Sequence, residues 1–201
     1  MSDHWNAVYA SRSDQEVSWF ETEPSTSLEL LDLLGVSPAD SVLDVGGGRS
    51  TLVDRLAERG HRDLSVLDLS DTALAAVSSR LAPGAVRTIV ADVTTWRPTR
   101  RFDVWHDRAT LHFLDAEHVG AYVATLHDAL SLHGGVVLGV FAPDGPDSCS
   151  GLPVTRYDAA GLTTLLGEQF TVVHQRRTSH TTPWGSRQSF QWIAARRQVE
   201  A

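Results

Sequence analysis

Three acidic side chains stand where three successive predicted strands end, and a glycine-rich turn follows the first of them. The first strand carries Asp44 and runs into glycines at 46–48. Glycine lets the backbone adopt positive φ and approach a ligand closely, and the helix that follows offers free N–H groups. Asp68 could accept hydrogen bonds from both ribose hydroxyls, and Asp92 could accept one from an adenine amino group. Because ligands of open α/β sheets bind at the carboxyl ends of the strands, the spacing predicts a nucleoside site.

The elements that position these residues follow an alternating pattern. From residue 41 onward, short β-rich segments alternate with amphipathic ones, which predicts an α/β fold with a doubly wound, mostly parallel sheet. The strand-like segments 169–176 and 187–195 predict a C-terminal antiparallel hairpin at one sheet edge. The other predicted strands are 42–45, 64–67, 86–90, 102–106 and 134–141, and the predicted helices between them are 51–59, 71–82 and 116–131.

The start of the chain differs in character from the rest. It is rich in aromatic residues and ends in a predicted helix at 25–34. Aromatic side chains in a polar segment are typical of docking onto an apolar surface. A chain of 201 residues is long enough for one well-buried core. We therefore predict a single domain over 1–201, in which residues 1–34 form a helical cover on an α/β core at 35–201.

Residues 40–195 resemble the class I S-adenosylmethionine (SAM) dependent methyltransferases, a family with a Rossmann-like fold. Their first motif is matched by Asp44 with the glycine turn, their ribose-binding acid by Asp68 and their adenine contact by Asp92. The resemblance implies SAM as cofactor, S-adenosylhomocysteine (SAH) as product, and a seven-stranded sheet whose last strand is antiparallel. Ser50 departs from the pattern, because many members have a third glycine there. The implied cofactor-binding residues are Asp44, Gly46, Gly47, Gly48, Asp68, Leu69, Asp92, Val93 and His106.

A dinucleotide is the rival cofactor. Rossmann dehydrogenases also combine a glycine loop with an acidic residue about 20 positions later. Their spacing would place a glycine at position 51, where this chain has Thr51. Asp92 and the C-terminal hairpin also favour SAM. The pattern therefore predicts SAM, with NAD(P) as the alternative.

Polar residues after the fourth strand are candidates for contacting the methyl acceptor, because the resemblance places that strand end beside the transferable methyl group. We expect the chain to turn at Asp107 and a helix to begin there, with Arg108 and His112 on one face. Arg108 would hold an anionic or thiolate acceptor, and His112 would orient it or take its proton. These three are the predicted catalytic residues. The alternative is structural, with Asp107 capping the helix and Arg108 pairing with it.

The long connection after the fifth strand, residues 143–157, predicts a lid over the acceptor, with a plain surface connection as the alternative. It contributes Arg156 and Tyr157 to the predicted substrate-binding residues. The cover contributes Tyr9 and Trp19 to the same set.

The acceptor is predicted from a short segment. Residues 107–111 resemble a segment of the thiopurine and thiol methyltransferases, and also one of the lysine methyltransferases that act on elongation factors. The first resemblance implies a small-molecule acceptor with a thiol, amine or hydroxyl group. The alternatives are a protein lysine and a SAM-binding protein without catalysis.

Composition argues against several classes of function. The net charge of −8 disfavours a nucleic-acid partner, because phosphate binding relies on a basic field. Cys149 is the single cysteine, which excludes an internal disulfide and zinc sites built on several thiolates, and the His and Asp positions predict no metal. No apolar run approaches the ~20 residues that span a bilayer, and the N-terminus lacks a secretion signal. We expect a soluble cytoplasmic protein with no membrane partner, and the oligomeric state stays open.

Overall fold

The strands alternate with helices along most of the chain in the computed structural model, which describes residues 1–13 and 16–198. The main sheet contains β1 (Val42–Val45), β2 (Leu64–Asp68), β3 (Val86–Val90), β4 (Phe102–Arg108), β5 (Leu130–Phe141), β8 (Phe170–Thr181) and β9 (Arg187–Arg197). The short strands β6 (Ser148–Cys149) and β7 (Leu152–Pro153) pair with each other. The helices are α1 (Ser2–Ser11), α2 (Ser25–Leu33), α3 (Leu52–Glu58), α4 (Asp71–Arg80), α5 (Ala116–Ala129) and α6 (Ala159–Leu166).

The sheet has seven strands in the order β3-β2-β1-β4-β5-β9-β8. Strands β1 to β5 pair in parallel, whereas β9 is antiparallel to both of its neighbours. The prediction of a mostly parallel sheet with a C-terminal antiparallel hairpin is therefore confirmed. The register places Asp44 beside His106 of β4, so polar groups of adjacent strands meet at the carboxyl edge of the sheet.

Apolar side chains cover both faces of the sheet, as the alternating pattern predicts. On one face the core includes Trp105, Tyr122 and Leu126 and is closed by α5 and α6. On the other face it includes Leu28, Leu56 and residues of α2, α3 and α4. The central strands β1 and β2 are buried along their whole length, which leaves their ends as the place where polar groups can reach a ligand.

The predicted helix beginning at Asp107 is wrong. Strand β4 continues to Arg108 because Asp107 pairs with β1 on one side and β5 on the other. The chain then turns at Ala109, which has φ of 72°, into a short 3-10 turn at Leu111–Phe113. Arg108 and His112 therefore do not share a helical face. The next helix begins at Ala116, where the Asp115 carboxylate caps it.

The other predicted elements differ from the observed ones only in their ends. Helix α2 ends one residue before the predicted helix, α4 and α5 end two residues early, and β8 runs on to Thr181. The predicted cover, residues 1–34, includes residues 14 and 15, which lie outside the described residues. Among the described residues, no helix has the length and apolar character needed to cross a membrane.

Candidate active site

The loop after β1 needs glycine for two reasons, a positive φ at some positions and a lack of room for a Cβ atom at all three glycines. Gly46 has φ of 62°, and a side chain there would collide with the side chain of Thr110. At Gly47, a Cβ atom would lie 2.6 Å from Oδ2 of Asp44. A side chain at Gly48, which also has positive φ, would meet the Tyr9 hydroxyl. The backbone of this loop is thus packed against the groups that surround it, and no larger residue fits.

Asp68 and Asp92 lie at the ends of neighbouring strands and line the same cavity. Oδ1 of Asp68 accepts a hydrogen bond from the Ser70 amide at 2.8 Å. Burial raises the pKa of Asp68 to about 6, although backbone amides oppose the shift. Oδ1 of Asp92 accepts hydrogen bonds from the amide and hydroxyl of Thr94 at 2.9 and 2.6 Å. Leu69 and Val93 complete this half of the cavity, as the sequence predicts for one nucleoside site.

Asp44 and His106 form a buried pair beside the glycine loop. The Nδ1 atom of His106 shares a hydrogen bond of 2.7 Å with Oδ1 of Asp44, and its Nε2 atom shares one of 2.9 Å with the Ser27 hydroxyl. Oδ2 of Asp44 is buried and has no hydrogen-bond partner among the described residues. These three residues, with Gly47 and Glu21, line a second cavity. A buried carboxylate oxygen without a partner fits a donor supplied by a ligand.

Aromatic residues of the N-terminal segment cover the carboxyl edge of the sheet. The ring of Trp5 lies 5.0 Å from that of Phe113 and 5.9 Å from that of Trp19, both edge to face. Tyr9 lies against the glycine loop, and its backbone carbonyl accepts a hydrogen bond of 2.5 Å from Nη2 of Arg49. Trp5, Tyr9 and Trp19 all line the first cavity. The predicted substrate-binding residues Tyr9 and Trp19 are thus placed at the cavity.

The first cavity continues past the nucleoside half into a space that we call the aromatic chamber. Its walls are Arg108, Phe113, Phe141, Cys149, Gln188 and Phe190. The rings of Phe141 and Phe190 lie 4.9 Å apart, and the guanidinium of Arg108 lies 5.3 Å from the ring centre of Phe190. The chamber and the nucleoside half, which we also call the cofactor half, form one continuous cavity. A ligand bound in the cofactor half would therefore contact a ligand bound in the chamber.

Most residues of the aromatic chamber were missed by the sequence reasoning. Phe141 and Cys149 lie at or just before the long connection, and Gln188 and Phe190 lie on β9. One signal was present: Gln188 and Phe190 are two apart in a predicted strand, so they face the same side of the sheet. Their nearness to β4 and the N-terminal segment depends on the strand order, which the local pattern does not contain.

Arg108 lines both cavities, but its charge is already paired. Nη1 donates a hydrogen bond to the carbonyl oxygen of Trp19 at 2.7 Å, and Nη2 forms an ion pair with Glu21 at 3.0 Å. Glu21 also lies 3.3 Å from Nδ1 of His180 on β8. Although burial opposes it, these partners hold the pKa of Glu21 below its usual range. The predicted role of Arg108 in holding an anionic acceptor is therefore not favoured.

Asp107 and His112 lie beneath the chamber and line neither cavity described here. The carboxylate of Asp107 accepts hydrogen bonds from the Thr110 amide at 2.8 Å and the Tyr122 hydroxyl at 2.6 Å. Burial raises its pKa to about 6. His112 is fully buried between Phe113 and Phe141, and burial lowers its pKa to about 3. Asp107 therefore accepts amide hydrogen bonds as a cap would, but at a turn and not at a helix, and Arg108 pairs with Glu21 and not with Asp107. His112 is neutral and lines neither cavity.

The predicted contacts Arg156 and Tyr157 also lie away from the cavity. Arg156 is exposed and donates a hydrogen bond from Nη1 to the carbonyl oxygen of Gly145 at 3.2 Å. Tyr157 packs against the core on the α5 and α6 side of the sheet. From this connection, Cys149 reaches the chamber instead, through its position on β6. No group of three or more His, Cys, Asp or Glu residues in the described chain has the arrangement of a metal site.

Comparison with known proteins shows that the chain is similar to methyltransferases. A family described as a methyltransferase domain matches residues 42–134. The eEF1A lysine and N-terminal methyltransferase of Danio rerio is 28% identical over 123 residues, which are 60% of this chain and 18% of that protein. The chain spans less than a fifth of the length of the curated relatives it matches.

Two solved structures are similar over nearly the whole chain. The first, described as the conversion of a disulfide bond into a thioacetal group during echinomycin biosynthesis, has a TM-score of 0.77 at 20% identity and covers 100% of this chain and 94% of that chain. The second is the 1,6-didemethyltoxoflavin-N1-methyltransferase of Burkholderia thailandensis with bound 1,6-didemethyltoxoflavin and SAH. Its TM-score is 0.71 at 25% identity, over 96% of this chain and 81% of that chain.

Proposed function

We propose that this chain, which belongs to the class I SAM-dependent methyltransferases, methylates a small molecule with a planar, apolar body. The observation that carries the proposal is the aromatic chamber, which is continuous with the cofactor half of the cavity. Its walls include Phe113, Phe141 and Phe190, and Trp5 and Trp19 lie above it. Aromatic walls around a cavity suit a flat apolar ligand.

The residues of the cofactor half fit SAM through their own polar groups. Asp68 would accept hydrogen bonds from the ribose hydroxyls, and Asp92 would accept one from the adenine amino group. Asp44 lines the adjoining cavity and its buried Oδ2 has no hydrogen-bond partner among the described residues, so this carboxylate would accept a hydrogen bond from the ammonium group of the methionine part. Gly46 lines both cavities and would let the backbone approach the ligand closely.

The chamber walls would act mainly by holding the acceptor in line. SAM supplies an electrophilic methyl group on a sulfonium, and alignment of the attacking atom contributes up to about 7–11 kcal/mol in the best cases. Of the titratable chamber residues, Arg108 is paired with Glu21, and burial raises the pKa of the Cys149 thiol. Neither is suited to act as a general base near neutral pH. An acceptor nitrogen or thiol, which can lose its proton to water, therefore fits better than an alcohol.

The relative from Burkholderia thailandensis supports a small acceptor, because it is described with 1,6-didemethyltoxoflavin bound. Its likeness covers nearly all of this chain. The curated relatives support a second candidate, a protein lysine, because they are described as eEF1A lysine and N-terminal methyltransferases. A protein acceptor would have to enter beneath the N-terminal cover, where Trp5 and Trp19 stand over the chamber. This geometry favours the small acceptor.

A screen of acceptors with SAM, scored by release of SAH, tests the proposal. The panel should contain planar heterocyclic amines, aryl thiols, phenols and a purified elongation factor 1A. SAH release with a heterocycle or thiol supports the proposal, whereas release with the elongation factor alone would indicate that the acceptor is a protein. Asp68→Ala is the matched control, since it should weaken cofactor binding by about 1–3 kcal/mol. SAM binding by calorimetry without SAH release from any acceptor would favour a SAM-binding protein without catalysis.

A further inference from the structure

Gln188 is a buried polar side chain in the wall of the aromatic chamber. Its relative exposure is 8%, and it lines the cavity beside Phe190. Its Oε1 atom is buried and has no hydrogen-bond partner among the described residues. A buried amide oxygen without a hydrogen-bond partner destabilises a protein. Such a group is expected where a ligand supplies the missing partner.

The strand geometry explains why Gln188 faces the chamber. Side chains of β9 alternate between the two faces of the sheet, so Gln188 and Phe190 point to the same side. The residue opposite Gln188 on β8 is His180. Both ring nitrogens of His180 are already engaged, Nε2 with the carbonyl oxygen of Ser18 at 2.7 Å and Nδ1 with Glu21 at 3.3 Å. The cross-strand neighbour therefore does not satisfy the carboxamide.

The other polar walls of the chamber each have at least one partner within the chain, although the Nε and Nη2 atoms of Arg108 are buried and have no hydrogen bond among the described residues. Arg108 is held by the Trp19 carbonyl and by Glu21. The Cys149 thiol shares a contact of 3.6 Å with the Ser18 hydroxyl. Arg108 and Glu21 also cancel each other's charge, which leaves the chamber without a net charge to attract an ion. Its recognition chemistry thus favours an uncharged molecule that bonds to Gln188.

We infer that Gln188 selects the acceptor, through paired hydrogen bonds to a planar, uncharged heterocycle that carries a donor and an acceptor on adjacent atoms. A carboxamide has one acceptor oxygen and a donor NH₂ group, and its two ends can exchange places by rotation about the last side-chain bond. A lactam edge, with N–H next to C=O, matches it in either orientation. The flat body of the heterocycle would lie among Phe113, Phe141 and Phe190. This inference rests on the proposed small-molecule function and names the class of its acceptor.

Binding to the SAH complex tests the inference without turnover. The probes are 2-pyridone, 2-quinolone and 4-quinazolinone, each compared with its N-methyl counterpart, which lacks the donor. We expect at least one lactam to bind about tenfold or more tightly than its counterpart to the native protein, since one buried hydrogen bond has that effect. In Gln188→Leu the ratio should fall to about one, whereas the affinity for SAH should stay unchanged. Gln175→Leu, on the exposed part of β8, is the matched control and should keep the native ratio.

Thermal melting provides a second test, because a structural role of Gln188 predicts the opposite change in melting temperature from a role in ligand binding. Without ligand, Gln188→Leu should melt at the native temperature or above, because it removes an unpaired buried amide. A lower melting temperature would show that the carboxamide has a structural partner and would overturn the inference. Equal binding of lactams and N-methyl counterparts, a ratio that persists in Gln188→Leu, or no binding of any lactam would also overturn it. A lactam preference together with no SAH release from any acceptor would instead refute the proposed function alone.

Discussion

Arg108 donates a hydrogen bond from Nη1 to the backbone carbonyl oxygen of Trp19 at 2.7 Å, across 89 positions of sequence. Arg108 is the last residue of β4, whereas Trp19 belongs to the N-terminal segment ahead of α2. The same guanidinium pairs with Glu21, and Glu21 contacts His180 of β8. One half-buried ion pair therefore ties the aromatic cover to both the parallel strands and the C-terminal hairpin. From this position we expect Arg108 to hold the cover over the chamber.

Removing the charge of Glu21 should loosen the cover. In Glu21→Gln, Arg108 would lose its half-buried counter-ion, and an uncompensated charge in a partly desolvated site destabilises the contact. We expect faster hydrogen exchange of the amides at 16–23 and a several-fold higher KM for the acceptor. Glu23→Gln is the matched control, because Glu23 pairs with Arg55 at the surface and should change little. Unchanged exchange and KM in Glu21→Gln would contradict this role.

Deletion of residues 1–20 should abolish turnover and leave the α/β core folded. The buried residues of the two core clusters begin at Leu28, so the sheet keeps its apolar contacts without the cover. The deletion removes Tyr9 from the glycine loop and Trp19 from the chamber. Far-ultraviolet circular dichroism and melting report on the fold, and SAH release reports on activity. Native turnover in the deleted protein would refute the proposed function of the cover.

The cofactor half could be predicted from sequence because its signals are local. Asp44, Asp68 and Asp92 each stand at a strand end that apolar runs define within a few residues. The topology then brings the ends of parallel strands to one edge whatever the details of the loops. Which of these strand ends are neighbours depends on the strand order, and that order is set by the pairing between strands.

The acceptor half could not be predicted in the same way. Asp107 accepts hydrogen bonds from the Thr110 and Leu111 amides, which is the capping pattern that also begins a helix. Pairing of β4 with β5 overrides that signal and keeps Arg108 in the strand. Cys149 meets Ser18 across 131 positions. Contacts between residues so far apart in sequence depend on the whole fold, and the local sequence pattern does not predict them.

Tyr122→Phe should lower stability without affecting the cofactor. The Tyr122 hydroxyl donates to Asp107 at 2.6 Å and accepts from Nε1 of Trp105 at 3.0 Å, in a fully buried network. Loss of such hydrogen bonds should lower the free energy of unfolding by about 1–3 kcal/mol, as measured by urea denaturation. Calorimetry should give an unchanged SAM affinity, since Asp107 lines neither cavity described above. Tyr157→Phe, half-buried on the same side of the sheet, serves as the comparison. A large loss of SAM affinity would instead assign Asp107 a functional role.

Asp68→Asn should make the protein more stable at neutral pH. Burial raises the pKa of Asp68 to about 6, above the value of 3.8 for an ordinary aspartate. Between about pH 4 and pH 6 the folded state therefore binds a proton that the unfolded state releases, so this carboxyl contributes less stability as the pH rises through that window. The Asn side chain does not ionise. We expect the melting temperature of Asp68→Asn, relative to the native protein, to be higher at about pH 7.5 than at about pH 4.5.

The same substitution should weaken SAM binding and remove its pH dependence. An ionised carboxylate is a stronger acceptor for ribose hydroxyls than a protonated one, so the SAM affinity of the native protein should fall as the pH drops below about 6. In Asp68→Asn the affinity should be lower by about 1–3 kcal/mol near neutral pH and nearly constant between about pH 5 and pH 8. Asp63→Asn, which precedes the opposite end of β2 and pairs with Arg100 near the surface, is the matched control. It should keep both the native affinity and the native pH profile. Calorimetric titration at several pH values measures both effects, and a native affinity in Asp68→Asn would show that the ribose is held elsewhere.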